Sequence, residues 1–267
     1  MFFSALAFIL GSLPRWLEKA VFELLYPVYL LKFKRERDYI SERLKKASLQ
    51  IKPKDVYKNL FSNGLDSLRF LQNKKVPVKF ENMDLVQNEI GKNPVVFISI
   101  HLGAFEMLHR VVGATPHGCP LHTVHLIVSE FKNKNLDKFL KKTRATKNVK
   151  VVKDFEVSDI LKNAIRNNEV IAVMADQSKQ GGEKFEILGQ SIPLFLKLPL
   201  AAGRLGASLV FFRTFKKNGE HIIRFERVYE PQAKIDKKEI AKMFEDWILE
   251  YPEQWAWNYN FLSSPHG

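Results

Sequence analysis

Apolar and polar positions along this chain alternate between two periods, and the changes of period mark out its elements. From 36 to 75, Ile40, Leu44, Leu60, Leu65, Leu68 and Leu71 recur among charged residues at helical spacing, with Pro53 as a break. Residues 95–100 (VVFISI) form a short apolar run after Pro94, the pattern of a buried strand, and 101–112 then reads as helix. The strand pattern returns at 123–128 and 170–175, with a shorter candidate at 149–152, while 136–147 and 158–167 read as helices. A loop with Gly181, Gly182 and Gly189 leads to a helix near 198–205. Residues 208–215 and 222–228 read as strands paired through Asn218-Gly219, and 237–250 as a closing helix. Strands alternating with helices predict an α/β fold: a single layered domain with a central mixed, largely parallel sheet flanked by helices. No Pro/Gly/Ser linker, internal repeat or low-complexity segment divides the 267 residues.

The amino-terminal stretch has a different character. Residues 1–14 (MFFSALAFILGSLP) carry no charged side chain, yet the run is shorter than the roughly 20 apolar residues a bilayer span needs. No basic segment precedes it and no small-x-small cleavage site follows. Between Trp16 and Phe33 the chain is rich in aromatic and aliphatic residues, and Lys32, Lys34, Arg35 and Arg37 abut them. Apolar residues beside a basic cluster suit an interfacial anchor on an anionic leaflet. Residues 1–35 are therefore expected to be a membrane-anchoring helical segment, apolar and amphipathic, and 36–267 the functional domain. Whether the segment spans or lies flat is open at this point, and so is the reading of an amphipathic helix packed on the core.

Charge narrows the partners. The 42 Lys and Arg exceed the 29 Asp and Glu, for a net charge of +13. Such an excess favours anionic surfaces. Lysine outnumbers arginine, which suits diffuse attraction more than bidentate base reading, and there is neither C2H2 spacing nor an RNP-like motif, so nucleic acid is not the expected partner. Residues 132–153 hold nine Lys or Arg and one acid, Asp137. A face so one-sided suits docking of an acidic carrier protein or of lipid phosphates, and a solvated helix face is the plainer alternative. Cys119 is the only cysteine, which precludes an internal disulfide and a thiolate metal cluster. His122 and His125 differ by three positions on an expected strand and so face opposite sides. No metal and no cofactor are expected.

The candidate chemistry lies at 98–106 (ISIHLGAFE), where a buried strand runs into His101, Gly103 and Glu106. Strand ends in α/β sheets are where catalytic groups collect. Five residues along a helix turn by about 140°, so His101 and Glu106 meet only if His101 lies in the turn before the helix, a turn that Gly103 eases. A carboxylate on one imidazole nitrogen fixes the tautomer, and the other nitrogen then takes a proton from an attacking hydroxyl. Free amides at the helix start could stabilise an oxyanion. Spacing by itself also fits a surface pair between Glu106 and His109.

HLGAFE matches the His-x4-Asp/Glu motif of lysophospholipid acyltransferase-like enzymes. More narrowly, the chain resembles the bacterial lipid A biosynthesis (late) acyltransferases. Further motifs carry this: 131–137 (FKNKNLD), 174–177 (MADQ), 185–189 with Pro193 and 201–207, and 252–257 (PEQWAW). Two departures are Val128-Ser129, where an aromatic-Arg pair is expected, and Asn258-Tyr259-Asn260 after Trp257. The resemblance implies an enzyme on the cytoplasmic face of the cell inner membrane. It would move an acyl chain from acyl carrier protein onto a hydroxyl of a lipid A precursor, an anionic lipid, with no metal. It implies His101 as general base with Glu106 as its orienting partner, and Asp176, Gln177, Arg144, Lys132 and Gly103 as supporting or substrate-binding residues. The alternatives are the same chemistry on another glycolipid or a lysophospholipid, a thioester hydrolase, or a non-catalytic basic protein that binds anionic lipid.

Overall fold

The computed structural model describes residues 2–72, 74–107, 123–128, 133–145, 147–153, 157–176 and 182–258. Four helices come first: α1 (Phe2–Gly11), α2 (Arg15–Lys32), α3 (Lys34–Lys46) and α4 (Pro53–Leu71). Pro53, expected as a break, opens α4, where its missing N–H costs nothing, and the Asp55 carboxylate accepts the Lys52 amide at 3.2 Å. Strand β1 (Val78–Glu81), helix α5 (Asp84–Gln87) and strand β2 (Val95–Ser99) follow. After these come β3 (Val124–Val128), α6 (Lys134–Arg144), β4 (Val149–Lys153), α7 (Val157–Arg166) and β5 (Val170–Met174). The hairpin of β6 (Glu183–Ile187) and β7 (Gln190–Leu194) precedes α8 (Lys197–Arg204), and β8 (Ser208–Lys217), β9 (Glu220–Tyr229) and α9 (Lys237–Glu250) complete the order.

Seven strands form one sheet in the order β1-β9-β8-β2-β5-β3-β4. Only the β8–β9 pair is antiparallel, so the sheet is mixed and mostly parallel. Asn218 and Gly219 both have positive φ (52° and 81°), the geometry of the tight turn anticipated between β8 and β9. All five β2 side chains are buried. Val96 and Ile98 point into a core shared with α3, α4, α7, α8 and α9, and Val95 and Phe97 into a second layer that includes Val86 of α5. This two-sided burial is why β2 reads as a continuous apolar run.

Four short elements were not anticipated: β1, α5 and the two strands of the β6–β7 hairpin. β1 is only four residues long and half polar, and parallel pairing with β9 places it. The β6–β7 hairpin replaces part of the expected glycine loop, with Leu188 and Gly189 both at positive φ. Its polar alternation and Pro193 obscure it, and a two-stranded ribbon tolerates that proline. The helix expected from 101 is corrected as well. Residues 101–104 are irregular and only Phe105–Met107 forms a 3-10 turn; 108–122 lie outside the described residues.

Among the described residues no helix is long and apolar enough to cross a membrane. Helices α1 and α2 nevertheless expose Phe8 (65%), Trp16 (78%), Leu24 (75%), Val28 (62%) and Leu31 (86%). Leu24, Val28 and Leu31 follow i, i+4, i+7 spacing, so they form one outward face of α2.

Candidate active site

The register of two parallel strands builds the site. Ser99 of β2 lies opposite Met174 of β5, and the Ala175 amide donates to the Ser99 carbonyl at 2.7 Å. Level strands deliver level continuations, so the residues two steps beyond each end, His101 and Asp176, arrive side by side at the carboxyl edge of the sheet. His101 Nδ1 lies 2.7 Å from Asp176 Oδ1, and the His101 backbone N–H donates to Oδ2 at 2.9 Å. The Trp255 indole N–H donates to the same Oδ2 at 2.9 Å. Both carboxylate oxygens are thus engaged in a buried setting, with Asp176 3% and His101 6% exposed. The Phe105 ring stands edge-on to the imidazole, centroids 4.5 Å apart.

The loop after β2 is pinned from two sides. Leu102 and Trp255 form an antiparallel bridge, in which the Gly103 amide donates to the Gln254 carbonyl (3.0 Å) and the Ala256 amide to the His101 carbonyl (2.9 Å). This pairing draws 101–103 out of helical geometry, which is why the anticipated helix does not begin there. On the other side, Gly103 has φ +60°, and a Cβ there would come within 2.5 Å of the Thr214 carbonyl oxygen on β8. Gly103 is therefore required by packing as well as by conformation. The Leu102 and Gly103 amides, two candidates for oxyanion donors, are already bonded to the carbonyls of Ile100 and Gln254.

Electrostatically, the site keeps a carboxylate ionised despite its burial. Burial pushes the Asp176 carboxyl pKa up. The charge of His101 and the hydrogen bonds from its ring, the Trp255 indole and the His101 amide outweigh that and hold it below the usual carboxylate range. A carboxylate fixed on Nδ1 sets the imidazole so that Nε2 is the atom that exchanges protons.

Of the residues expected from the sequence, His101 and Asp176 are brought together. The backbone of Glu106 lies in the Phe105–Met107 turn, while its side chain, Lys132 and Gln177 fall outside the described residues, as do His109, His117, Cys119 and His122. Arg144 lies at the end of α6, lining a small hollow with Val128, Asp137, Lys141, Val151 and Lys153. Strand β3 pairs in parallel with both β5 and β4, which puts that hollow near the same carboxyl edge. His125 is buried against Glu169 (2.7 Å), and among the described residues no three His, Cys, Asp or Glu side chains group to hold a metal. Asp176 has a larger part than anticipated, as the carboxylate on Nδ1. The 252–257 motif could have pointed to Gln254 and Trp255.

A family model, Bacterial lipid A biosynthesis acyltransferase, matches residues 67–262. No curated protein sequence matches the chain. Among solved structures, it is similar to the 1-acyl-sn-glycerophosphate (LPA) acyltransferase PlsC from Thermotoga maritima, with 11% identity and a TM-score of 0.39, over 88% of this chain and 94% of that one.

Proposed function

The chain belongs to the bacterial lipid A biosynthesis acyltransferase family, and from that premise we propose that it moves a fatty acyl chain from the thioester of acyl carrier protein to a hydroxyl of a lipid A precursor. The observation that carries the reading is the His101–Asp176 pair, buried and engaged at the carboxyl edge of the parallel strands. His101 Nε2 takes the proton of the acceptor hydroxyl as its oxygen attacks the thioester carbonyl. The oxyanion collapses, the C–S bond breaks, and the leaving thiolate recovers the proton from the imidazolium. Asp176 holds the ring and balances the transient positive charge. Glu106 is the carboxylate of the His-x4-Glu motif and a second candidate acid for the site, and Arg144, Lys132, Gln177 and Gly103 are proposed as substrate-binding residues. No covalent enzyme intermediate is required.

The test is acyl transfer in detergent micelles from radiolabelled acyl carrier protein to a lipid A precursor, a lysophospholipid and a glycolipid. Label is expected on the lipid A precursor. Label on another lipid alone would reassign the acceptor. Free fatty acid as the sole product would mean a hydrolase, and vesicle binding without turnover would leave only a lipid-binding protein.

Residues 1–35 are proposed as the anchor, lying flat on the cytoplasmic face of the inner membrane. The outward face of α2 supports this, as do exposed Lys138, Lys141, Lys142, Lys147 and Lys150 in and beside α6, a helix that α1 also touches. Replacing Leu24 and Leu31 together by Asp is expected to weaken sedimentation with anionic vesicles about tenfold or more. Unchanged binding would move the anchor elsewhere.

A further inference from the structure

We propose that Arg43, on a helix preceding the region the family model matches, is a positioning residue for the His101–Asp176 pair, acting through Trp255 and through its charge. The inference rests on the reading of His101 as the base.

Arg43 of α3 reaches the back of the site and is held there in several ways. Its Nη1 donates to the Trp257 carbonyl at 2.7 Å, and its Nε to Gln190 Oε1 at 2.9 Å. Gln190 in turn donates to the Arg43 carbonyl at 3.1 Å, so helix and β6–β7 hairpin grip each other around the cation. The guanidinium carbon lies 4.9 Å from the Trp255 ring centroid, 5.6 Å from that of Trp257 and 5.5 Å from that of Tyr39. The two indoles meet edge to face at 4.7 Å. One cation therefore fixes the plane of Trp255, and that plane aims the indole N–H at Asp176 Oδ2.

Charge adds a second effect. Burial pushes the guanidinium pKa down, and Tyr39 and Asp176 oppose that push. Among the described residues, the titratable groups facing Arg43 include Tyr39 on its own helix and Asp176 at the end of β5, and those facing Asp176 include His101 and Arg43. A cation here keeps the carboxylate ionised and works against a second positive charge on the coupled pair. Without it, the pair holds its proton to higher pH. Lysine would supply the charge but neither the fork to two oxygens nor the stacking plane.

The experiment is the pH profile of kcat/KM for the full chain with the labelled thioester donor, for wild type, Arg43→Gln, Arg43→Lys and Trp255→Phe, with Tm measured for each. In Arg43→Gln, kcat is expected to fall about tenfold and the acid limb to move up by about half a pH unit or more. Arg43→Lys is expected to lose rate while its acid limb stays at the wild-type position. Trp255→Phe removes one hydrogen bond from Asp176 and is expected to move the limb upward as well. Limbs unmoved in both Arg43→Gln and Trp255→Phe, with only Tm lowered, would reduce Arg43 to a structural clamp and overturn the proposal. A wild-type profile without an acid limb is a distinguishable failure, since it removes the base reading on which the proposal stands.

Discussion

Replacing Asp176 by asparagine is expected to lower kcat about 10³–10⁴-fold, and His101→Ala at least as much, with the fold retained. The asparagine is isosteric, and its carbonyl oxygen can still accept from the Trp255 indole and the His101 amide. Its NH2 then faces His101 Nδ1, which must become an acceptor. The ring proton moves to Nε2, and the base loses the lone pair it needs for the acceptor hydroxyl. The loss therefore comes from the tautomer and from the missing negative charge beside the imidazolium, while substrate binding is spared. KM should change far less than kcat. Glu106→Gln, assayed beside it, separates the two carboxylates. Near-wild-type kcat in Asp176→Asn together with a collapse in Glu106→Gln would transfer the orienting role to Glu106.

The second large effect concerns stability. Asp66 is fully buried on α4 and meets four cationic or titratable partners: His221 Nε2 at 2.9 Å, Lys216 Nζ at 2.7 Å, Arg69 Nη1 at 2.9 Å and, more distantly, Arg15 Nη2 of α2 at 3.6 Å. Arg69 also pairs with Glu18 of α2, and its Nη2 donates to the Leu13 carbonyl, so the cluster fastens the first two helices to the β8–β9 hairpin. From Lys216 the connection continues to the site, since the Lys216 amide donates to Gln254 Oε1 at 2.7 Å and Gln254 accepts the Gly103 amide. Asp66→Asn leaves these cations beside a neutral amide in a buried place, and should cost about 3–5 kcal/mol in urea unfolding. A change below about 1 kcal/mol would show that water or a rearrangement compensates.

The same carboxylate sets a pH dependence. Burial raises the Asp66 pKa, but hydrogen bonds from His221, Lys216 and Arg69 and the charge of Lys216 bring it well below the ordinary aspartate value. A group whose folded pKa is depressed stabilises the fold fully above its unfolded pKa of about 4 and loses that contribution as pH falls towards the folded value. Wild type should therefore lose stability below about pH 4 more steeply than Asp66→Asn, a difference that acid unfolding curves measure directly.

Much of the scaffold was legible because its causes are local. The run 95–100 is apolar throughout, since β2 is covered on both faces, and Asn218-Gly219 supplies the two positive φ values its turn requires. Helix α9 could be read from its spacing over 237–250, the span it occupies. His101 stood out because it ends a buried strand. Short polar elements escaped: β1 and the β6–β7 ribbon owe their existence to pairing partners, and neither has a strong apolar period.

The sequence alone determined the α/β class, the strand that leads into His101 and the family resemblance that its motifs carry, because hydrophobic period, turn chemistry and motif order are properties of neighbouring residues. Tertiary structure decided which carboxylate meets His101 Nδ1, and that Trp255 and Arg43 stand behind it. Asp176 lies 75 positions from His101 and 79 from Trp255, and Arg43 is 214 from Trp257. Such contacts follow from strand register and from helix packing across the sheet, and spacing along the chain carries no record of either.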